Sequence, residues 1–256
     1  MKRQLIPLLL FIPLCITCRI YPPPEEQDYA VPEESVGRAQ SPINILTSGA
    51  VDNNGDDICV SFDAAVTETE NLGHTVQLDF GKGSTGIIEG QTCTARQLHF
   101  HTPSEHLIDG ITYPMEMHLV STLKDSTEQK EPSYIVIAIL FKMGKENRFI
   151  HEFENLIPAE EGEQYLDSGT VNLQDLLSQI AADHPLTCFT YKGSLTTDPY
   201  TEKVDWIILD HAIEASPRQI MEIEKREGYN ARHVQSLNDR AITIHYNRTL
   251  QQNGRP

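Results

Sequence analysis

His99 and His101 flank Phe100 in the run ARQLHFHTPSEHLIDG, and His118 follows in MEMHLV. On a strand, alternation places His99 and His101 on one face and Phe100 on the other. The stretch between His101 and His118 is long enough to turn and come back beside that strand. Three neutral imidazoles converging on one point make a Zn2+ site with its fourth position free, a catalytic arrangement more than a structural one. Ligating histidines also need a partner for the second ring nitrogen, to fix tautomer and orientation. Gln97 shares the strand face of His99, and Glu116 shares that of His118, so each supplies such a partner. A strand that puts Glu116 and His118 on one side is expensive to bury unless the two satisfy each other. The residue types alone leave ordinary polar or surface histidines as the alternative. A Cys93 thiolate, six residues before His99, is a rival ligand.

These side chains need strands to hold them. Short strand-like runs alternate with turn signals from Ser41 onward: ICVSF, TVQLDF, TGIIEG, RQLHFH, MEMHLVSTL, SYIVIAILFKMG, VDWIIL and AITIHY. SYIVIAILFK is almost continuously apolar and predicts a central strand buried on both faces. Helical signals are few. Val171 to Ala182 carries Leu173, Leu176, Leu177 and Ile180 at amphipathic spacing. SPRQIMEIEKREG predicts a second helix, with Ser216 as N-cap and Pro217 at its first position. The expectation is a mostly β, single domain around a large, predominantly antiparallel twisted sheet with small peripheral helices.

The chain has 256 residues, enough for one sizeable core. Asp and Glu outnumber Lys and Arg by 37 to 20, for a net charge of -17. That balance argues against nucleic acid and against an anionic membrane surface as partners. Residues 1–18 begin with Lys2 and Arg3 and continue in a short apolar run, Leu5 to Ile16. They read as a secretory signal, too short for a membrane span, with a lipid anchor at Cys18 as a weaker reading. Residues 19–39, with PPPEEQ and VPEES, read as an irregular arm. Cys59, Cys93 and Cys188 lie in the body, an odd number that leaves one disulfide or none. Asn247-Arg-Thr is a glycosylation sequon near the end of the chain.

Five landmarks make the chain recognisable: QSPINI at Gln40–Ile45, NLGHTVQL at Asn71–Leu78, QLHFHTPSEH at Gln97–His106, MEMHLV at Met115–Val120 and GSLTT at Gly193–Thr197. The tail Asn230, Arg232, Gln235, Asn238 and Arg240 fits the same closing pattern. The sequence resembles the alpha-class carbonic anhydrases from about Gln40 to Tyr246, which places a catalytic domain at residues 40–250. The resemblance implies zinc on His99, His101 and His118, and reversible hydration of carbon dioxide to bicarbonate and a proton. It implies that Thr196 is the gatekeeping threonine, its hydroxyl donating to Glu105. His106 is implied to be structural rather than a fourth ligand, held by groups such as Tyr191 and Glu116. Thr197 would line the bicarbonate site. Val120, Val136, Leu195, Val204 and Trp206 would form the apolar wall for carbon dioxide, equally readable as core.

His74 matches the family's proton shuttle, since an imidazole can take and release a proton near neutral pH. The other histidines, including His184, read as ordinary. The resemblance also implies an exported protein, secreted or periplasmic, and leaves a homodimer open. The departures lie away from the metal. In the short stretch YPPPEEQDYAVPEESVGRA just ahead of QSPINI, where the family has an aromatic-rich segment, Tyr21 and Tyr29 are the only aromatics. Leu72 replaces an asparagine that helps order proton-carrying waters. Tyr200 replaces the later cysteine of a common disulfide, and Asp198 replaces a proline. The alternatives to an enzyme of this kind are a non-catalytic binding protein of the same fold and a zinc esterase.

Overall fold

The predicted strands form where the apolar alternation puts them. Short strands open the chain: β1 (Asn44–Ile45), β2 (Val51–Asp52), β3 (Val60–Asp63), β4 (Val66–Asn71), β5 (Val76–Phe80) and β6 (Thr85–Ile88). The long β7 (Gln91–His101) leads through β8 (Leu107–Ile108) and β9 (Ile111–Thr112) to β10 (Met115–Leu123) and β11 (Tyr134–Met143). Then come helix α1 (Arg148–Phe153), β12 (Gln164–Leu166), α2 (Leu173–Asp183), β13 (Thr187–Gly193), β14 (Val204–Leu209), β15 (Ile213–Ala215), α3 (Pro217–Glu227) and β16 (Thr243–Tyr246). The computed structural model describes residues 37–53, 60–88, 90–123, 133–166, 171–183 and 187–246. The expected signal, nearly all of the arm, Cys59, His184 and the Asn247 sequon lie outside the described residues.

Thirteen of the described strands join one sheet, whose main path runs β12, β4, β5, β7, β10, β11, β14, β13, β16, β2. Most neighbours are antiparallel. The exceptions are β11 with β14 and β15, and β16 with β2, which run parallel. The predicted central strand, β11, lies between β10 and β14 with Ile135 through Phe141 all buried. Its alternate residues feed two separate cores. Ile135, Ile137, Ile139 and Phe141 pack with Leu98, Phe100, Met117 and Leu119 on one face. Val136, Ala138 and Leu140 pack with Val120, Trp206 and Ile208 on the other.

A bulge decides which face the histidines take. Between β7 and β10, Val120 opposes Gln97 while its neighbour Ser121 opposes Ala95, so Arg96 is the extra residue. Before the bulge the odd-numbered Cys93 and Ala95 point into the first core. After it the even-numbered Leu98 and Phe100 do so, and Gln97, His99 and His101 turn to the opposite face. Without that one-residue shift, the imidazoles of His99 and His101 would be aimed into the hydrophobic core.

The two predicted helices form as expected. Leu173, Leu176, Leu177 and Ile180 of α2 are buried in the first core. Ser216 caps α3 in a reciprocal box: its Oγ accepts from Gln219 N at 3.3 Å, and Gln219 Oε1 accepts from Ser216 N at 3.1 Å. Several elements carried no sequence signal, among them the short β1, β2, β8, β9 and β15 and the longer or better-defined β4, β13, β12 and α1. In β4 the inward residues include the polar Thr69 and Asn71, and a bulge between Val66 and Glu68 breaks the alternation. In β13 the buried Cys188, Phe189, Tyr191 and Gly193 do not keep period two. β12 is exposed throughout and α1 is only six residues long.

Candidate metal centre

Strand register lays the site out in rows across the sheet. One row reads Gln77, His99, His118, Ala138 and Ile208, each directly opposite the next. The row beside it reads Asp79, Gln97, Val120, Val136, Trp206 and Tyr191. On the other side, His101 opposes Glu116. The three histidines therefore stand on two adjacent antiparallel strands and share a face, with ring centroids 4.6 to 5.2 Å apart.

One ligand nitrogen from each ring lies within 4.8 Å of the others. His99 Nδ1 donates to Gln97 Oε1 at 2.8 Å, which leaves Nε2 with its lone pair. His118 Nε2 donates to Glu116 Oε1 at 2.6 Å, which leaves Nδ1. His101 Nε2 has no hydrogen-bond partner, and the same is true of Glu105 Oε2. That carboxylate oxygen lies 3.5 Å from His101 Nε2 and 3.8 Å from His118 Nδ1. Burial lowers the pKa of all three imidazoles, His101 to about 4 and His99 well below its ordinary value. The like-charged neighbours reinforce the shift at His99 and His118.

Uncharged rings, aimed lone pairs and orphaned buried polar atoms fit a divalent ion, and three imidazoles fit zinc. His101 and His118 are buried while His99 stays partly exposed, so the cluster is approached from the His99 side. A second trio, His106, Glu116 and His118, also falls within ligand distance, but hydrogen bonds occupy it. Cys93 lies in the core on the far side of the sheet, which removes the thiolate rival. No disulfide occurs among the described residues.

Glu116 anchors the back of the cluster. Its Oε1 accepts from His118 Nε2 and from His106 Nδ1 at 2.7 Å, and its Oε2 accepts from His106 N at 2.8 Å. Burial opposes its charge, but the two histidines and their hydrogen bonds outweigh burial and hold the carboxyl well below its usual range. His106 Nε2 in turn meets Tyr191 Oη at 2.8 Å, and Tyr191 reaches Ser41 Oγ at 2.7 Å. Glu105 is pinned through Oε1, which accepts from Arg232 N at 2.9 Å. Burial pushes the Glu105 carboxyl up to about 7, against the pull of His118, the Arg232 amide and the Thr196 hydroxyl.

The remaining sites fall around this centre. His74 is exposed, donates from Nδ1 to Leu72 O at 2.9 Å, and is close enough to act electrostatically on His99 and His101. Val120, Val136, Val204 and Trp206 are buried in the second core, and Leu195 packs against it half-buried. Thr197 is exposed. Trp206 Nε1 donates to Ser194 O at 3.0 Å and ties the GSLTT run to the sheet.

The eukaryotic-type carbonic anhydrase family model matches residues 26–247. The chain belongs to that family. It is 34% identical over 212 residues to the carbonic anhydrase of Neisseria gonorrhoeae, covering 81% of this chain and 78% of the relative. The enzyme of Pectobacterium carotovorum is also 34% identical, over 207 residues and 80% of each chain. Among solved structures, the alpha-carbonic anhydrase of Thermovibrio ammonificans with sulfanilamide superposes with a TM-score of 0.72 at 31% identity, covering 81% of this chain and 87% of that one.

The site also uses residues whose roles the sequence did not disclose. Arg232 Nη1 donates to Gln40 Oε1 at 3.0 Å and to Ser41 O at 2.6 Å, and its guanidinium lies 3.9 Å over the Tyr200 ring. Tyr200 thus serves as a stacking partner. The QSPINI landmark carried the signal for Gln40 and Ser41, and the closing tail that for Arg232, but neither named a partner.

Proposed function

We infer that the protein catalyses the reversible hydration of carbon dioxide to bicarbonate and a proton. Zn2+ would be held by His99 Nε2, His118 Nδ1 and the His101 ring. The observation that carries this reading is the convergence of three uncharged imidazoles within ligand distance. Bound there, zinc would supply a water of pKa about 7 as the nucleophile, the value established for carbonic anhydrase itself.

The chain's own residues supply orientation and a route for the proton. An ionised carboxylate can only accept, so the Thr196 hydroxyl gives its single proton to Glu105. Thr196 then presents only lone pairs toward the metal position, and it selects a donor there. A cation among the rings adds to the groups that lower the Glu105 pKa and favours its ionised form. The wall of Val120, Val136, Leu195, Val204 and Trp206 offers an apolar substrate a dry surface beside His118. Thr197 is read as the residue that contacts the product. Gln97, Glu116, His106 and Tyr191 act through the ligands, by fixing which ring nitrogen faces the metal.

His74 Nδ1 is committed to Leu72 O, so Nε2 is left to take a proton and, being exposed, to pass it to buffer. His74→Ala is expected to lower kcat about tenfold or more while kcat/KM holds, and added imidazole should restore part of it. Unchanged kcat, or no rescue, rules out that role.

Lys2, Arg3 and the apolar run that follows support export, with residues 1–18 removed and 40–250 as the catalytic domain. The described residues contain no helix long and apolar enough to cross a membrane. The test of the function is carbon dioxide hydration by the purified protein, followed by stopped flow with and without a sulfonamide. Sulfonamide-sensitive hydration supports the reading. Ester cleavage without hydration overturns it in favour of a zinc esterase.

A further inference from the structure

Glu227 is the last residue of α3 and is only 4% exposed, yet no cation is paired with it among the described residues. Its partners allow a count of protons. Thr102 Oγ1 lies 2.8 Å from Gly228 O and 3.1 Å from Glu227 Oε1. A hydroxyl has one proton to give, and a carbonyl oxygen can only accept. The shorter contact takes the Thr102 proton, so the contact to Oε1 needs a proton from the carboxyl. The other oxygen, Oε2, accepts from Val76 N at 3.1 Å. A neutral carboxylic acid satisfies every group in this chain, whereas a carboxylate leaves Thr102 without enough protons.

The surroundings agree. Burial pushes the Glu227 pKa up to about 8, against the Val76 amide and the Thr102 hydroxyl. The charged side chain acting on it is Glu224, one turn back on α3, and it too is acidic. On the packed strands, the titratable residues closest in sequence to its contacts Val76 and Thr102 are His74 ahead of β5 and His101 at the end of β7. Burial keeps His101 uncharged, so that side offers no cation.

Glu227 joins two segments that matter to the reaction. Val76 begins β5 two residues after His74, and Thr102 follows the ligand His101. Asn230, just beyond α3, makes the same connection: its Nδ2 donates to His74 O at 2.8 Å and Phe100 O at 3.0 Å, and its Oδ1 accepts from Thr102 N at 2.9 Å. We propose that Glu227 is a protonated carboxylic acid at neutral pH and acts as a positioning residue, clamping the His74 turn to the end of the ligand strand. The positioning half rests on the reading of His74 as the proton carrier, whereas the protonation half stands without it.

Glu227→Gln tests the proton. The amide NH2 can donate to Thr102 and its oxygen can accept from Val76 N, so the variant mimics the acid form at every pH. A group that keeps its proton longer in the folded state stabilises below its unfolded pKa, and that contribution is lost as pH rises through the folded pKa. The Tm of the native protein should therefore drop relative to Glu227→Gln by about 5–10 °C between about pH 5 and about pH 9. A gap that stays constant across that range overturns the protonated state.

The positioning half is read from kinetics. Glu227→Leu fills the space but breaks both contacts, and it should lower kcat several-fold with kcat/KM retained, while Glu227→Gln should not. Equal kcat in the Leu and Gln variants overturns the clamp. The Tm comparison needs no activity, so failure of the hydration reading would leave it intact and would be seen separately.

Discussion

His118→Ala is expected to bind no stoichiometric zinc and to lose carbon dioxide hydration by about a thousandfold or more, because a metal's charge stabilisation is worth several kcal/mol. His118 stands between the other two ligands and the second core. Its ring centroid is 5.2 Å from that of His99 and 4.6 Å from that of His101, and its Nδ1 is left for the ion by the bond from Nε2 to Glu116. Alanine removes one donor of three, and the remaining pair is too few for tight zinc binding. Metal analysis and stopped-flow hydration on the same preparation check this. A variant that keeps one zinc and native turnover would remove His118 from the site.

Glu116→Ala should cost about 3–5 kcal/mol of stability and weaken zinc binding roughly 10–100-fold. The carboxylate is fully buried and accepts from three donors: His118 Nε2, His106 Nδ1 and His106 N. Alanine leaves all three without an acceptor in a place that water does not reach. It also frees the His118 ring to turn, which undoes the choice of Nδ1 as ligand. Glu116→Gln keeps the volume and one acceptor oxygen, so its stability loss should be smaller while zinc affinity still falls. Urea unfolding and competition with a chelator measure the two effects. Zinc affinity equal to native in both variants would show that Glu116 does not orient the ligand.

The sequence exposed the chemistry better than the geometry that delivers it. His99, His101, His118, Gln97 and Glu116 could be paired from strand alternation alone, and the hydrogen bonds to Gln97 and Glu116 match that pairing. The bulge at Arg96 could not be read, because it depends on pairing with β10 rather than on local pattern. It decides that His99 and His101 join His118 on one face rather than pointing into the first core. β4 escaped because it buries Thr69 and Asn71, polar residues that interrupt the apolar alternation of a half-buried strand. Asn71 donates to Pro158 O at 3.1 Å across the fold. Ser41, Arg232 and Glu227 are far in sequence from the histidines they support. Their roles follow only from long-range contacts such as Arg232 N to Glu105 and Thr102 to Glu227.

The measurement that tests the metal centre most directly is a zinc titration of chelator-stripped protein, with hydration followed at each addition. Activity should rise linearly and stop at one equivalent of zinc per chain. Full zinc uptake with no hydration, or hydration that persists without any metal, would contradict the assignment of His99, His101 and His118 as a catalytic zinc site.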